Sequence, residues 1–260
     1  QKAFYKFIIS KYRDIVYTKY SSVSININRV SNGNKIQTDI DSSGLHSGMK
    51  LLPFMIASSY KYKKRFIIFH LSLVLETKQN DVTRVKRHRN LIIFDLQNIV
   101  KIGNKSHSTC YIYDPHGYEG GKTFSGFIGA KIHEQVEKAI NKTFEFAKLH
   151  PLKKIKIVNT PVLKWNYTVI SKHGPQYFDK AKASFGKCQT WCLAFMHYRL
   201  HYPDKSVIEI DKMLGAEDQK FASEFITKYI IFLMNNVSFH KYFNNAQRAN
   251  NYGPWRPMEM

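Results

Sequence analysis

Two short apolar segments, NLIIFD at residues 90–95 and CYIYD at residues 110–114, decide the fold class of this chain. Their β-branched and aromatic side chains predict strands, and the polar, glycine-containing stretch between them predicts an antiparallel pair with a long connection. His88 opens the longer segment HRNLIIFD, residues 88–95, and Asp114 ends the second segment. We therefore expect the two strands to bring His88 and Asp114 together.

The segments before this pair alternate between helical and strand patterns. They predict a helix over residues 2–20, a strand over 23–30, a loop over 32–48 and a second strand over 65–76.

The segments after the pair are mostly helical. They predict helices over residues 129–149, 191–200 and about 217–234, a strand over 153–158 and an extended tail from residue 244. This order of elements predicts an α+β fold in a single domain over residues 1–260.

The chain is strongly basic, with 40 Lys and Arg residues against 19 Asp and Glu and a formal net charge of +21. Such a charge predicts a polyanionic partner, nucleic acid in the first place. The alternative is that the Lys and Asn content only reflects an AT-rich genome. Two basic clusters carry the nucleic-acid prediction: Lys61, Lys63, Lys64 and Arg65, and then Arg84, Lys86, Arg87 and Arg89.

Cysteine usage and hydropathy bear on the compartment. Three cysteines in 260 residues predict a protein of a reducing compartment, not a disulfide-stapled secreted one. The apolar stretches stop short of the roughly 20 residues that a membrane span needs, and no signal-peptide pattern is present. We expect no membrane span and no metal, because the cysteine spacing lacks a zinc pattern.

Cys188 is the candidate nucleophile. It lies in FGKCQTWC, residues 185–192, at the expected start of an apolar helix. The positive end of a helix dipole favours a thiolate, and the free N–H groups there can hold an oxyanion. The alternative is that Cys188 and Cys192 are both small buried side chains.

A cysteine nucleophile needs an imidazole base and a group that orients the imidazole. His88 best fits the base, because it heads a strand beside the strand that ends in Asp114. Asp95 competes as the orienting acid, but about 20 Å of extended strand would separate it from His88, so we expect it to cap a turn. We expect His70 to be a core histidine; His107, His116 and His173 are expected at the surface or around the site. Trp165 and Trp191 are expected in the core.

Four segments together resemble the adenovirus proteinase and ubiquitin-like-protein protease superfamily, and most of all the thiol proteases of large DNA viruses. They are TCYIYDPHGY at 109–118, the His-x-Asn-x-Ile-x-x-Asp strand at 88–95, Gly-Pro-Gln at 174–176 and Gly-x-Cys-x-x-Trp at 186–191. The resemblance covers about residues 84–203. It implies a papain-like, adenain-like cysteine protease fold, with a central mixed sheet and the nucleophile at a helix N-terminus.

The resemblance also implies roles for individual residues: Cys188 as nucleophile, His88 as base, Asp114 as orienting acid and Gln176 as the oxyanion-hole side chain. Gln189, next to the cysteine, is a rival oxyanion donor. Residues 1–80 then form an N-terminal extension or subdomain, residues 84–203 the catalytic core and residues 244–260 a flexible tail.

The implied function is a cysteine endopeptidase that processes viral structural precursors in the virion or in the host cytoplasm or nucleus. A ubiquitin-like-protein isopeptidase is one alternative, and a non-enzymatic, nucleic-acid-binding virion protein is the other. We expect a polypeptide substrate and no cofactor, with DNA or a peptide as candidate activators. The sequence does not indicate an oligomeric state.

Overall fold

The sheet at the centre of the fold has five strands in the order β2-β1-β3-β4-β5. The computed structural model describes residues 2–17, 21–32, 35–79, 82–102, 105–116, 132, 134–143, 174–178, 187–215 and 218–236. The strands are β1 Ser21–Asn32, β2 Lys35–Asp41, β3 Phe66–Gln79, β4 Val82–Ile102 and β5 Lys105–Tyr113. Strands β1 and β3 are parallel and the other neighbours are antiparallel, which confirms the predicted mixed sheet.

Helices lie between and after the strands. They are α1 Lys2–Lys11, α2 Ser43–Met49, α3 Leu52–Lys61, α4 at residues 134–143, α5 Pro175–Phe178, α6 Lys187–His201, α7 Val207–Met213 and α8 Gln219–Asn236. None of the helices in the described residues is both long enough and apolar enough to span a bilayer.

The sheet is buried on both faces by alternate side chains of its strands. Leu91 and Ile93 pack into one core with side chains of α1, α6, α7 and α8. Ile92 and Phe94 pack into a second core with side chains of α2, α3 and α4. Burial of each such side chain stabilises the fold by roughly 1.5–3 kcal/mol. Burial on both faces explains why residues 90–95 are apolar without polar alternation.

Helix α6 is buried over most of its length, from Trp191 to Leu200. The ring of Phe195 stacks on Tyr113 at the end of β5, with 3.7 Å between ring centroids. The thiol of Cys192 donates a hydrogen bond to the carbonyl of Arg89 on β4, over 3.1 Å. These contacts fix the first half of α6 against the strands that carry His88 and Asp114.

The first helix is shorter than predicted. It ends at Lys11, although its apolar spacing continues to Val16. Val16 instead forms a parallel bridge with Phe66, and the Tyr17 N–H donates to the Phe66 carbonyl. Backbone pairing with the start of β3 therefore competes with the helix and ends it.

The predicted loop at residues 32–48 was wrong. Strand β2 and helix α2 occupy most of it, because β1 supplies β2 with an antiparallel partner from Asn26 to Asn32. Asp41 Oδ1 accepts the Ser43 N–H over 2.9 Å at the start of α2. Polar turn-forming residues here lie in an edge strand and a helix start.

The long connection predicted between the two central strands was also wrong. Strand β4 begins at Val82, so His88 lies inside it, opposite Leu73 of β3. Past an irregularity between Asp95 and Ile99, β4 and β5 continue to pair as far as Ile102 and Lys105. Backbone hydrogen bonds between the paired strands thus extend both strands into polar segments of the sequence.

The remaining expectations fall into two groups. The strands predicted over 23–30 and 65–76 and the helices over 191–200 and 217–234 are confirmed, and the described part of the helix over 129–149 is helical. The strand over 153–158, the tail from residue 244, Trp165 and His173 lie outside the described residues.

Residues 21–79 supply three of the five strands, so this part of the chain belongs to the sheet that positions the candidate site.

Candidate active site

Asp114 directly follows β5, one position beyond the last pair of the ladder, Leu91 with Tyr113. Its Oδ1 lies 2.9 Å from His88 Nε2 and accepts the backbone N–H of His116 over 2.9 Å. Its Oδ2 accepts a hydrogen bond from Asn90 Nδ2 over 3.3 Å. His88 and Asn90 lie two residues apart and therefore on one face of β4. Both carboxylate oxygens are thus held in place.

His88 is nearly buried, with 6% of its surface exposed, and it hydrogen-bonds both Asp114 and Cys188. Burial opposes its protonation, but the charge and hydrogen bond of Asp114, followed by those of Cys188, raise the pKa of His88 from 6.5 to about 10. Because Asp114 takes Nε2, Nδ1 is the ring nitrogen left for Cys188. The raised pKa favours the imidazolium form of His88 at neutral pH, next to a carboxylate and a sulfur.

The ionised state of Asp114 matches this arrangement. Burial opposes its ionisation, but the charge and hydrogen bond of His88 and the His116 amide hold the pKa of Asp114 below its usual 3.8. The His116 ring lies 5.1 Å from the His88 ring, centroid to centroid. Burial, and then the charge of His88, lower the pKa of His116, so the second histidine stays neutral beside the first.

Cys188 is the second residue of α6, with 8% of its surface exposed. N–H groups in the first turn of a helix have no intrahelical acceptor and point away from the helix, along the positive end of its dipole. A sulfur at this position faces both the imidazolium and these donors. The geometry suits a thiolate nucleophile with an adjacent oxyanion hole.

The other two thiols are in different surroundings. Cys110 is buried in β5, and burial alone raises its pKa well above the usual value. Cys192 is buried one turn after Cys188, and burial, followed by the charges of Cys188 and Asp114, raises its pKa. The sequence left open whether Cys188 and Cys192 are both buried structural side chains. Cys192 is one, whereas Cys188 contacts the histidine.

Gln176 lies in α5, a single turn next to the segment that follows Asp114. Its backbone N–H donates to the Pro115 carbonyl over 2.9 Å, and the Gly174 N–H donates to the His116 carbonyl over 2.9 Å. Helix α5 also contacts α6. Gln176 Oε1 is buried and accepts no hydrogen bond from the described residues. Gln189, the rival donor, is half-buried in the first turn of α6.

Asn90 is the site residue that sequence reasoning missed. It sits two positions after His88, and the alternation of a strand was the signal that could have placed it beside the same carboxylate. The histidine and tryptophan alternatives turned out as expected where they are described. His70 is buried in β3 against Tyr5, and Trp191 is a buried aromatic stacked near Phe225.

Asp95 has a structural role, as expected. Its Oδ1 accepts the backbone N–H groups of Gln97 and Asn98, both over 3.2 Å. It is also fully buried between two guanidinium groups, with Arg65 at 3.0 Å and Arg199 at 2.7 Å. It therefore joins β3, β4 and the end of α6, away from His88.

Two cations of the first basic cluster have partners within the protein. Arg65 pairs with Asp95 and with Asp204, and Lys64 Nζ donates to the carbonyls of Arg13 and Asp14 over 2.6 and 3.3 Å. These two side chains bind the protein itself, and the assignment of the cluster to nucleic acid stays a prediction. Five of the other basic residues are exposed and Arg89 is half-buried; the exposed ones are Lys61, Lys63, Arg84, Lys86 and Arg87.

No side-chain cluster in the described residues has the three His, Cys, Asp or Glu groups that a metal ion would need.

Comparison with known proteins gives no family. No protein family model and no curated protein sequence matches the chain. Several solved structures of the Legionella pneumophila effector protein RavZ are weakly similar. One has a TM-score of 0.39 and 10% identity and covers 86% of this chain and 55% of RavZ. Another, in complex with human LC3B, has a TM-score of 0.35 and 10% identity and covers 85% and 52%. The chain spans about half the length of the structures it matches, and a likeness of this degree assigns no function.

Proposed function

We propose that this chain is a cysteine hydrolase that cleaves peptide or isopeptide bonds with Cys188 as nucleophile, His88 as acid and base, and Asp114 as the orienting group. The observation that carries the proposal is that His88 hydrogen-bonds Asp114 on one side and Cys188 on the other. A buried imidazolium between a carboxylate and a thiol has no evident packing role, and it is the arrangement that thiol acyl transfer needs.

The reaction has two halves. The Cys188 thiolate attacks the carbonyl carbon, and the oxyanion takes hydrogen bonds from N–H groups in the first turn of α6. His88 gives its proton to the leaving amine as the C–N bond breaks, which leaves an acyl thioester. Neutral His88 then takes a proton from water, whose oxygen attacks the thioester and releases the acid and the thiolate.

Two glutamines are candidates for the side-chain donor to the oxyanion. We propose Gln176, whose Nε2 would be the donor, because backbone hydrogen bonds hold α5 against the segment that follows Asp114. Gln189 is the alternative, because it follows the nucleophile in the first turn of α6. Loss of activity in Gln176→Ala but not in Gln189→Ala supports the first assignment.

The substrate class is a polypeptide. Viral structural precursors and ubiquitin-like conjugates are the two candidates that follow from the sequence resemblance, and a denatured structural precursor and a ubiquitin-like fusion would separate them. Nucleic acid also remains a proposed partner or activator, supported by the net charge of +21 and by exposed Lys61 and Lys63. The proposed site of action is the virion or the host cytoplasm or nucleus.

The proposed function is tested with Cys188→Ala and His88→Ala, assayed on a mixture of denatured protein substrates. Each variant should abolish hydrolysis and keep the far-UV circular dichroism of the parent. Cys110→Ala is the matched control, because it removes a thiol that contacts no candidate catalytic group, and it should keep its activity. Unchanged turnover in Cys188→Ala would contradict the mechanism.

A further inference from the structure

At the end of the sheet beyond His88, the two faces of the sheet carry different sets of charged side chains. Along β4, His88, Lys86 and Arg84 alternate onto one face of the strand. The register places Lys86 opposite Leu75, and Arg84 opposite Thr77, which in turn lies opposite Arg29 of β1. The side chains of Lys86 and Arg84 are exposed and Arg29 is half-buried. We call His88, Lys86 and Arg84 the basic row.

The opposite face at this end of the sheet is mixed in sign. The register puts Glu76 opposite Val85, and Asp39 and Asp41 opposite Asn28 and Asn26, which are all positions of that other face. Arg87 and Lys78 share this face. Among the described and paired residues at this end, the face of the basic row carries no carboxylate. No described and paired residue of this face therefore compensates the charges of Lys86 and Arg84, and the carboxylate of Asp114 is hydrogen-bonded to His88.

The apolar side chains next to the basic row are already buried within the protein. Leu75 and Ile27, beside Lys86, and Leu73, beside His88, belong to the buried core. A partner on this face would thus meet exposed ammonium and guanidinium groups on a closed surface. Its recognition would be electrostatic, not hydrophobic.

We propose that the basic row selects polypeptide substrates with acidic residues at the second and fourth positions from the cleaved bond, on one side of it. This inference rests on the proposed hydrolase function. Residues on one face of a strand are about 6.6 Å apart, so Lys86 lies about 7 Å and Arg84 about 13 Å from His88. An extended substrate that passes His88 has the same repeat, which sets its second and fourth side chains against these two cations.

A polypeptide fits the basic row better than a duplex does. The row leads to His88, of which 6% of the surface is exposed, and on to Cys188, of which 8% is exposed. A single extended chain can follow the row to these buried groups, whereas a duplex backbone is too wide to reach them. An extended acidic peptide can therefore reach from the basic row to the buried groups, and a duplex cannot.

The experiment is cleavage-site profiling on a mixture of peptides from denatured proteins, with sequencing of the products. We expect Asp and Glu to be enriched at the second and fourth residues from the cut, about twofold to fivefold each, as for partly exposed ion pairs. In the double variant Arg84→Glu and Lys86→Glu the enrichment should change to Lys and Arg. In the milder Arg84→Gln and Lys86→Gln variant the enrichment should disappear.

The matched control is the double variant Lys78→Glu and Arg87→Glu, which makes the same charge change on the opposite face of the same strands. It should keep the parent profile. Cleavage with one profile in the parent and in both Arg84 and Lys86 variants would overturn the inference and leave the proposed hydrolase intact. No cleavage by any of the proteins, with the Cys110→Ala control also silent, would overturn both.

Nucleic acid is the remaining outcome of this test. If duplex DNA binds the parent with a steep salt dependence, and Arg84→Gln with Lys86→Gln abolishes that binding but leaves the cleavage profile unchanged, the basic row binds phosphate and the inference is wrong.

Discussion

His88 is the residue on which the candidate site depends, because it contacts the acid and the nucleophile at once. In the proposed mechanism Asp114 orients its ring and stabilises the imidazolium, whereas Cys188 forms the bond to substrate. These different roles predict different losses on substitution.

Asp114→Asn should lower kcat/KM by about 10²-fold, less than the loss in Cys188→Ala, because an amide can still orient the ring but cannot stabilise its charge. The measurement is hydrolysis of one peptide substrate by the parent and both variants. A silent Asp114→Asn variant would show that the acid has been misassigned.

Asn90→Ala should lower kcat/KM by about tenfold and move its alkaline limb to lower pH. The substitution removes the donor that holds Asp114 Oδ2, so the carboxylate can rotate away from His88 Nε2, which weakens its hold on the His88 proton and lowers the pKa of His88 below its value of about 10. Asn98→Ala, further along β4, is the control and should leave the limb in place. A fall in rate with no change in the limb would mean that Asn90 only supports packing.

At the scale of elements, helix α6 carries the candidate nucleophile Cys188 in its first turn and Arg199, which makes structural contacts, in its last turn. Arg199 binds buried Asp95 on β4 and donates to the carbonyls of Tyr202, Pro203 and Lys205. Because Arg65 shares the same carboxylate, one buried ion group holds β3, β4 and α6 together.

Asp95→Asn should therefore lower the free energy of unfolding by about 3–5 kcal/mol, because it leaves two partly or fully buried guanidinium groups without their carboxylate. Asp204→Asn is the matched control. It removes the other partner of Arg65, but 92% of the Asp204 side chain is exposed, so the loss should stay within about 1 kcal/mol. Urea unfolding of both variants measures the difference, and equal small losses would contradict the role of Asp95.

How much the sequence could predict depended on the kind of element. Residues 90–95 and the helix after Cys188 were predictable because dense apolar side chains specify burial directly. Strand β2 and the basic first part of β4 were not, because their polar side chains carry no apolar strand pattern, and their pairing comes from backbone hydrogen bonds to the strands just before them, β1 and β3. His88, Asp114 and Cys188 could be proposed from motifs, and the alternation of β4 could have placed Asn90, whereas the Asp95 ion group depends on contacts that no local pattern shows.

At the scale of the whole molecule, the His88–Asp114 pair links stability to pH. The pKa of His88 is raised from 6.5 to about 10, so its contribution is fully present below pH 6.5 and is lost as pH rises toward 10. The pKa of Asp114 is lowered, so its contribution is present above pH 3.8 and is lost as pH falls through its folded-state pKa.

The stability difference between the parent and His88→Gln should therefore shrink steadily between pH 6.5 and 10. Urea unfolding of both proteins at several pH values in this range measures it, with His201→Gln, an exposed histidine, as the control. A difference that stays constant across the range would mean that His88 carries no proton there.

The most direct test of the central claim is the rate at which iodoacetamide alkylates Cys188 at pH 6, located by peptide mass spectrometry, in the parent and in His88→Ala. An ordinary thiol carries only a small thiolate fraction at pH 6, and a neighbouring imidazolium favours the thiolate, so the His88 side chain should speed alkylation at this pH. We expect the parent to react at least about tenfold faster than His88→Ala. Equal rates, or a Cys188 that stays unlabelled in the folded parent, would contradict the claim that Cys188 and His88 form a reactive pair.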